Sequence, residues 1–338
     1  MAVSFLKSDP KIVVIGGGTG SFTLLSGLKE YTASITALVN MADDGGSTGL
    51  LRDELGVLPP GDVRQCLIAL SDAPKLRDLF NYRFDEGSLK GHAFGNLFLT
   101  ALEKMTGDFA EGVELAGEVL NISGRVEPIT LTNVTLVMNT EKHGEVKGEY
   151  LIGETDLEGE RPELRLHPEA ILNPKALEAI HQADIIVVAP GNLYGSLAPA
   201  LIVPGVGAAL AKSKAFKVYV CNLVTKPSQT KDFSVSDFAD EIERLAGEKF
   251  LDAVLFNTRQ PDQELLNKYA GAGELAVLYD EPRLEKASYH AYGADLLAGT
   301  IWENSSKSDP IAAARTLIRH DPLVVARSII ELHSSLVK

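Results

Sequence analysis

Cysteine is nearly absent. Cys66 and Cys221 are the only two in 338 residues, and both lie inside apolar stretches. A disulfide framework is therefore not expected, and a reducing compartment is. Long hydrophobic runs are missing too. The nearest, residues 197–210, is broken by Pro and Gly, and none reaches the roughly 18 residues of a membrane-spanning helix. Residues 1–10 carry one Lys and no apolar leader core, so the expectation is a soluble, cytoplasmic protein without membrane insertion. Basic residues are in deficit: 32 Lys plus Arg against 46 Asp plus Glu leave a net charge of −14. That argues against nucleic acid as a partner. It does not argue against a nucleotide, whose phosphates can be held by backbone N–H groups whatever the global charge. Signatures of common chemistries are also lacking. The seven histidines form no His-x-x-x-His pair, the cysteines lack zinc-ligand spacing, and there is no Gly-x-Ser-x-Gly elbow.

What is present is an alternation of buried strands and amphipathic helices. Residues 11–15 are an apolar, β-branched run that stops at glycines, as a buried parallel strand does. Phe22, Leu24, Leu25 and Leu28 then share one helix face. A second strand over 35–40 ends at Asp43-Asp44-Gly45-Gly46-Ser47, read as a turn. Helices are expected over 63–70 (with Asp62 as N-cap), 96–105 and 109–120. Residues 130–138 alternate, 142–145 turn, and 146–152 return as a strand, so 126–170 read as a small antiparallel β insertion. The α/β pattern resumes with helices over 174–182, 207–212, 236–245 and 265–269. Strands are expected over 184–189, 217–222, 253–257 and, last, 275–279, before a helix over 321–338. The expected fold class is α/β: one domain over 1–338 with a doubly wound, Rossmann-like, mostly parallel sheet.

The strongest local signal is Gly16-Gly17-Gly18-Thr19-Gly20, between a strand and a helix. Such a turn lets backbone N–H groups approach an oxyanion, and the helix N-terminus favours negative charge. It is neither a full dinucleotide fingerprint, since Ser21 stands at the third glycine position, nor a Walker loop, since no Gly-Lys-Ser/Thr follows. Asp43 and Asp44 close the second strand. They can bind ribose hydroxyls, hold Mg²⁺ together with Asp62, or simply form a turn. Ligands of open parallel sheets bind beyond the carboxyl ends of strands. That rule marks Gly191, Asn192, Leu193 and Tyr194 after one strand and Asn222 and Thr225 after the next as ligand contacts. His92, in a loop before a helix, is a further polar candidate.

The motifs Ile15–Gly20, Ala42-Asp43-Asp44-Gly45-Gly46-Ser47-Thr48-Gly49 and Leu58-Pro59-Pro60-Gly61-Asp62-Val63-Arg64, taken in order, resemble the YvcK family of gluconeogenesis factors. So do Gly91-His92-Ala93-Phe94-Gly95-Asn96-Leu97, Pro190-Gly191-Asn192-Leu193-Tyr194 and Arg319-His320-Asp321. That family is related to CofD, the 2-phospho-L-lactate transferase of deazaflavin-coenzyme biosynthesis. The resemblance implies a regulator that binds UDP-sugars such as UDP-N-acetylglucosamine, or NAD-type dinucleotides, and is linked to cell shape and gluconeogenic growth. By motif match it places Tyr269 and Arg319 at the ligand; Gly17, Gly18, Thr19 and Gly20 of the glycine turn, Ser47 and Asn96 complete the candidate site, with Asp44 and Asp62 as candidate ligands of Mg²⁺. A CofD-type transferase and an NAD-dependent oxidoreductase are the competing readings, and a homo-oligomer is left open. The chain departs from the family pattern at Asn192 (usually Ser), Gly195 (Thr), Ala200 (Asn), Lys226 (Gln) and Gln229 (Glu).

Overall fold

A computed structural model describes residues 9–271, 273–299 and 318–337. Its centre is a seven-stranded, wholly parallel sheet in the order β10-β9-β8-β7-β1-β2-β3. The strands are β1 (Ile12–Gly16), β2 (Ile35–Val39), β3 (Arg125–Pro128), β7 (Ile185–Val188), β8 (Phe216–Val220), β9 (Ala253–Asn257) and β10 (His290–Ala294). The inner strands β1, β7 and β8 are buried along their whole length, which is why their sequences are continuous rather than alternating apolar runs. From β1 the chain steps outward through β2 to β3, then returns to lay β7 on the other side of β1. The order therefore reverses between β1 and β7, which opens a crevice at the carboxyl ends of those two strands.

The helices that frame the crevice are α1 (Gly18–Leu28), α2 (Gly46–Leu55), α3 (Gly61–Leu70), α4 (Pro74–Asn81), α5 (Phe94–Thr106) and α6 (Phe109–Leu120). On α1, Leu24, Leu25 and Leu28 are fully buried, each contributing ~2 kcal/mol of burial. The last helix, Pro322–Leu336, packs on α1 and starts at Asp321, whose carboxylate accepts the N–H groups of Leu323 and Val324. Among the described residues no single helix is long and apolar enough to cross a membrane.

The insertion carries a second, three-stranded antiparallel sheet, β5-β4-β6, from β4 (Thr135–Thr140), β5 (Gly144–Lys147) and β6 (Glu163–His167). Three details differ from the sequence expectation. Residues 125–128 belong to the main sheet, as its edge strand β3, so the insertion begins later. The expected strand over 146–152 ends at Lys147. Gly148, at φ 97°, breaks it and a short helix α7 (Glu149–Glu154) follows. Residues 275–279 make only single bridges, Ala276 to Val224 and Leu278 to Ser234, and the last strand is β10. His290-Ala291-Tyr292-Gly293-Ala294 has no apolar run to announce a strand. Helix α2 was hidden likewise, because its first residues read as a glycine-rich turn.

Candidate functional site

β1 runs directly into the glycine turn, and α1 opens at Gly18 with Gly17 as its N-cap. Gly17 offers no side-chain cap and no acid lies in the first turn, so the N–H groups of that turn need partners from elsewhere, and Asp62 supplies one of them to Gly18. Gly20 is required by contact: a Cβ there would lie 1.7 Å from the Pro190 carbonyl oxygen, at the exit of β7. This close approach brings the start of α1 against the turn that follows β7.

A cavity of about 320 Å³ opens at this junction. Thr19 and Gly20 form one wall, Gly191, Asn192 and Leu193 the next, and Asn222, Thr225 and Lys226 the third. Arg319 and His320 close it. The cavity therefore gathers residues from across the chain at the predicted end of the sheet. Several of them also fasten the walls to one another. Asn222 Nδ2 donates to the Gly191 carbonyl at 2.7 Å, while Gly191 N–H and the Tyr219 hydroxyl donate to Asn222 Oδ1. Asn192 Oδ1 accepts the Gly195 N–H and caps the turn of helix Leu193–Leu197. The Thr225 hydroxyl accepts from Leu275 N–H at 3.2 Å. Tyr269 stands behind the wall. Its ring is buried, and its hydroxyl accepts the Ile318 N–H at 3.1 Å, fixing the backbone just before Arg319.

The remaining predicted residues lie on the β2 side of the glycine turn. Gly18 N–H donates to Asp62 Oδ1 at 2.9 Å, and Gly17 packs against the same carboxyl. Burial, reinforced by the charges of Asp43 and Glu149, pushes the Asp62 carboxyl up to about 8. Burial and the charges of Asp43 and Asp44 raise Glu149 to about 7, and burial raises Asp43 as well. Asp44 was expected beside Asp62 as a metal ligand, but its two oxygens accept the N–H groups of Glu149 (3.1 Å) and Tyr150 (2.8 Å). It caps α7. Among the described residues no three His, Cys, Asp or Glu side chains are arranged to hold a metal ion.

Ser47 and Asn96 form part of a buried polar chain rather than a cavity wall. Asn96 Nδ2 donates to Ser47 Oγ (3.2 Å), Ser47 Oγ pairs with His92 Nδ1 (3.0 Å), and Arg64 Nε donates to Asn96 Oδ1 (2.9 Å). The network locks the Pro59–Arg64 segment, and with it Asp62, against α5. Tyr194 is a correction to the sequence reading. Its side chain is fully buried and its hydroxyl donates to the buried Glu241 at 3.0 Å, so it is a core residue rather than a ligand contact. The apolar strand end that precedes it made it look like an exit-turn residue; the helical turn rotates it inward.

Sequence reasoning passed over Glu149, took Lys226 and Gln229 only as departures from a family pattern in the expected cleft, and took His320 only as part of a motif. Lys226 follows β8, so the strand-end rule reached its neighbourhood without choosing it. His320 is buried, its Nε2 has no hydrogen-bond partner among the described residues, and burial lowers its pKa to about 4. Nothing in the local sequence ties Glu149 to the glycine turn. A larger hollow, about 890 Å³, lies at the opposite end of the sheet, around Lys11, Ser34, Arg125 and Lys175. It faces strand starts rather than strand ends and has no helix N-terminus from the glycine turn.

The family model described as 2-phospho-L-lactate transferase CofD matches residues 12–297. The gluconeogenesis factor of Bacillus subtilis is 38% identical over 330 residues, covering 97% of this chain and 99% of that protein. The chain belongs to the CofD-like family of gluconeogenesis factors. The gluconeogenesis factor of Listeria innocua is 41% identical over 296 residues, covering 86% of this chain and 90% of its own length. A crystal structure of a UPF0052 family member from Bacillus halodurans superposes with a TM-score of 0.86 at 36% identity, covering 96% of this chain and 99% of that one. The gluconeogenesis-factor fold is thus the parallel α/β sheet described above, with its antiparallel insertion.

Proposed function

We propose that this gluconeogenesis factor is a regulatory protein that binds a nucleotide sugar of the UDP-N-acetylglucosamine type in the switch-point cavity, linking carbon metabolism to cell shape. One observation carries the reading. The cavity sets the first turn of α1, at Thr19 and Gly20, on one side and two cations, Arg319 and Lys226, on the other. Amides and a helix dipole from one wall with a guanidinium and an ammonium from the other suit a diphosphate. Asn192 and the buried His320 supply hydrogen-bonding groups for base or sugar. An NAD-type dinucleotide shares the diphosphate and competes for the same space.

The second reading is a CofD-type transfer of a phospholactyl-like group from a nucleotide diphosphate carrier. It is favoured by the carboxyls of Asp43, Asp62 and Glu149 beside the glycine turn. These residues do not form a metal cage. A Mg²⁺ ion in such a reaction would have to arrive with the diphosphate, as Mg²⁺ commonly does. Calorimetric titration with UDP-N-acetylglucosamine, NAD and GDP, with and without Mg²⁺, separates the readings. Binding of the UDP-sugar without turnover supports the sensor. Preference for GDP strengthened by Mg²⁺, or turnover, overturns it in favour of the transferase.

A further inference from the structure

Helix α7 is tied down at both ends, each time by a loop at the carboxyl end of the main sheet. At its start, Asp44, beyond β2, accepts the N–H groups of Glu149 and Tyr150. At its end, Gln229 Nε2 donates to the Ile152 carbonyl at 2.7 Å, and Lys226 Nζ donates to the Gly153 carbonyl. Both of those side chains follow β8. Also from the start, the Glu149 side chain reaches the turn after β7, where a Cβ on Gly195 would lie 2.2 Å from Glu149 Oε1. The sheet order is β8-β7-β1-β2, so α7 runs across the switch point from the β2 side to the β8 side.

Three positions, Gly195, Lys226 and Gln229, receive α7. A threonine at 195 would collide with Glu149. A glutamate at 229 would set a carboxylate, which cannot donate, against the Ile152 carbonyl. Lys226 and Gln229 both line the cavity, together with Thr19 and Arg319, but of the two only Lys226 carries a charge. Its ammonium donates to the neutral Gly153 carbonyl under the charges of Glu154, Glu149 and Glu274, and as a hydrogen-bond acceptor a phosphate oxygen is a stronger partner than that carbonyl. Partial burial lowers its pKa, which adds to the gain from a charged acceptor.

We propose that α7 is a strap across the nucleotide cleft and that Lys226 is its ligand-sensitive latch. A ligand diphosphate draws the Lys226 ammonium off the Gly153 carbonyl and frees the C-terminal end of α7. The strap then reports occupancy of the cleft to the exposed face of α7, where Tyr150 and Leu151 stand more than half exposed. The proposal rests on the cleft being the nucleotide site.

The test is hydrogen exchange at the amides of residues 149–157 in the full chain, free and saturated with UDP, with uridine as the phosphate-free control. Exchange there should quicken with UDP and not with uridine. Gln229→Glu should quicken it without any ligand. Lys226→Gln keeps a donor for Gly153 but loses the charge, so it should weaken UDP binding about tenfold, the worth of one charge-assisted hydrogen bond, leave uridine binding unchanged and abolish the UDP response. UDP binding that slows exchange in the wild type, or leaves it unchanged, overturns the latch. Lys226→Gln binding UDP as tightly as wild type overturns the role of Lys226 alone. Wild type that binds neither UDP nor a UDP-sugar overturns the nucleotide reading itself, and ligand release with it.

Discussion

At Asp62 two influences compete. The Gly18 N–H favours the carboxylate, while burial and the charges of Asp43 and Glu149 disfavour it more strongly. The folded-state pKa, about 8, lies above the ordinary value of 3.8, so the folded protein binds the extra proton. The stabilisation is fully present below pH 3.8 and is lost as pH rises through about 8. Urea unfolding should therefore show stability falling from about pH 4 to about pH 8 and levelling off above. Asp62→Asn should flatten that slope and be the more stable protein at pH 9, by about 1–2 kcal/mol once solvent access to the carboxyl is discounted. A variant with the wild-type slope would show that Asp62 is already ionised at neutral pH. At Gly20 the argument is steric. The atom a Cβ would meet is a backbone carbonyl, which cannot swing aside. Gly20→Ala should cost about 3 kcal/mol or more and remove ligand binding with it, read by denaturant midpoint and calorimetry.

Among the elements, α7 shows why part of the site was hidden. The turn at 43–49 was legible as chemistry because adjacent acids before glycines and a serine are rare in a plain loop. Its use was not legible, because the backbone that Asp44 caps lies 105 residues away. The same holds for Ser47, His92, Asn96 and Arg64, which short-range patterns mark as polar but which only the fold reveals as one buried chain. By contrast, Thr19, Gly20, Asn192, Asn222 and Thr225 follow from a rule about strand ends that needs no side-chain contact. Asp44→Ala should cost about 1–2 kcal/mol, as loss of a helix cap does, and open the insertion to proteolysis around residues 142–160. Any effect of Mg²⁺ on ligand binding should be the same in this variant. A Mg²⁺ effect lost with Asp44 would restore that residue to a metal site. Tyr269→Phe leaves the Ile318 N–H without its acceptor. It should weaken nucleotide binding by loosening Arg319, less than Arg319→Ala does, with a stability loss of about 1 kcal/mol.

Over the whole molecule, the parallel sheet was the easiest feature to anticipate, while the order of its strands, which the sequence reading did not assign, is the most consequential. Buried apolar strands joined by helices dictate a parallel sheet, and the reversal between β1 and β7 dictates where its crevice lies. The crevice walls come from residues 19–20, 191–193, 222–226 and 319–320, which meet only when the chain is folded. A ligand of this cleft must then bind the native state alone and stabilise all of it. At a free concentration one hundred times its Kd, UDP-N-acetylglucosamine should add about 2.7 kcal/mol, seen as a single unfolding transition moved to higher temperature. Arg319→Ala, which removes a cavity-lining cation, should lose the shift when compared with its own ligand-free unfolding temperature. A ligand that moved only part of a split transition would instead place its site within one half of the sheet, away from the junction of β1 and β7.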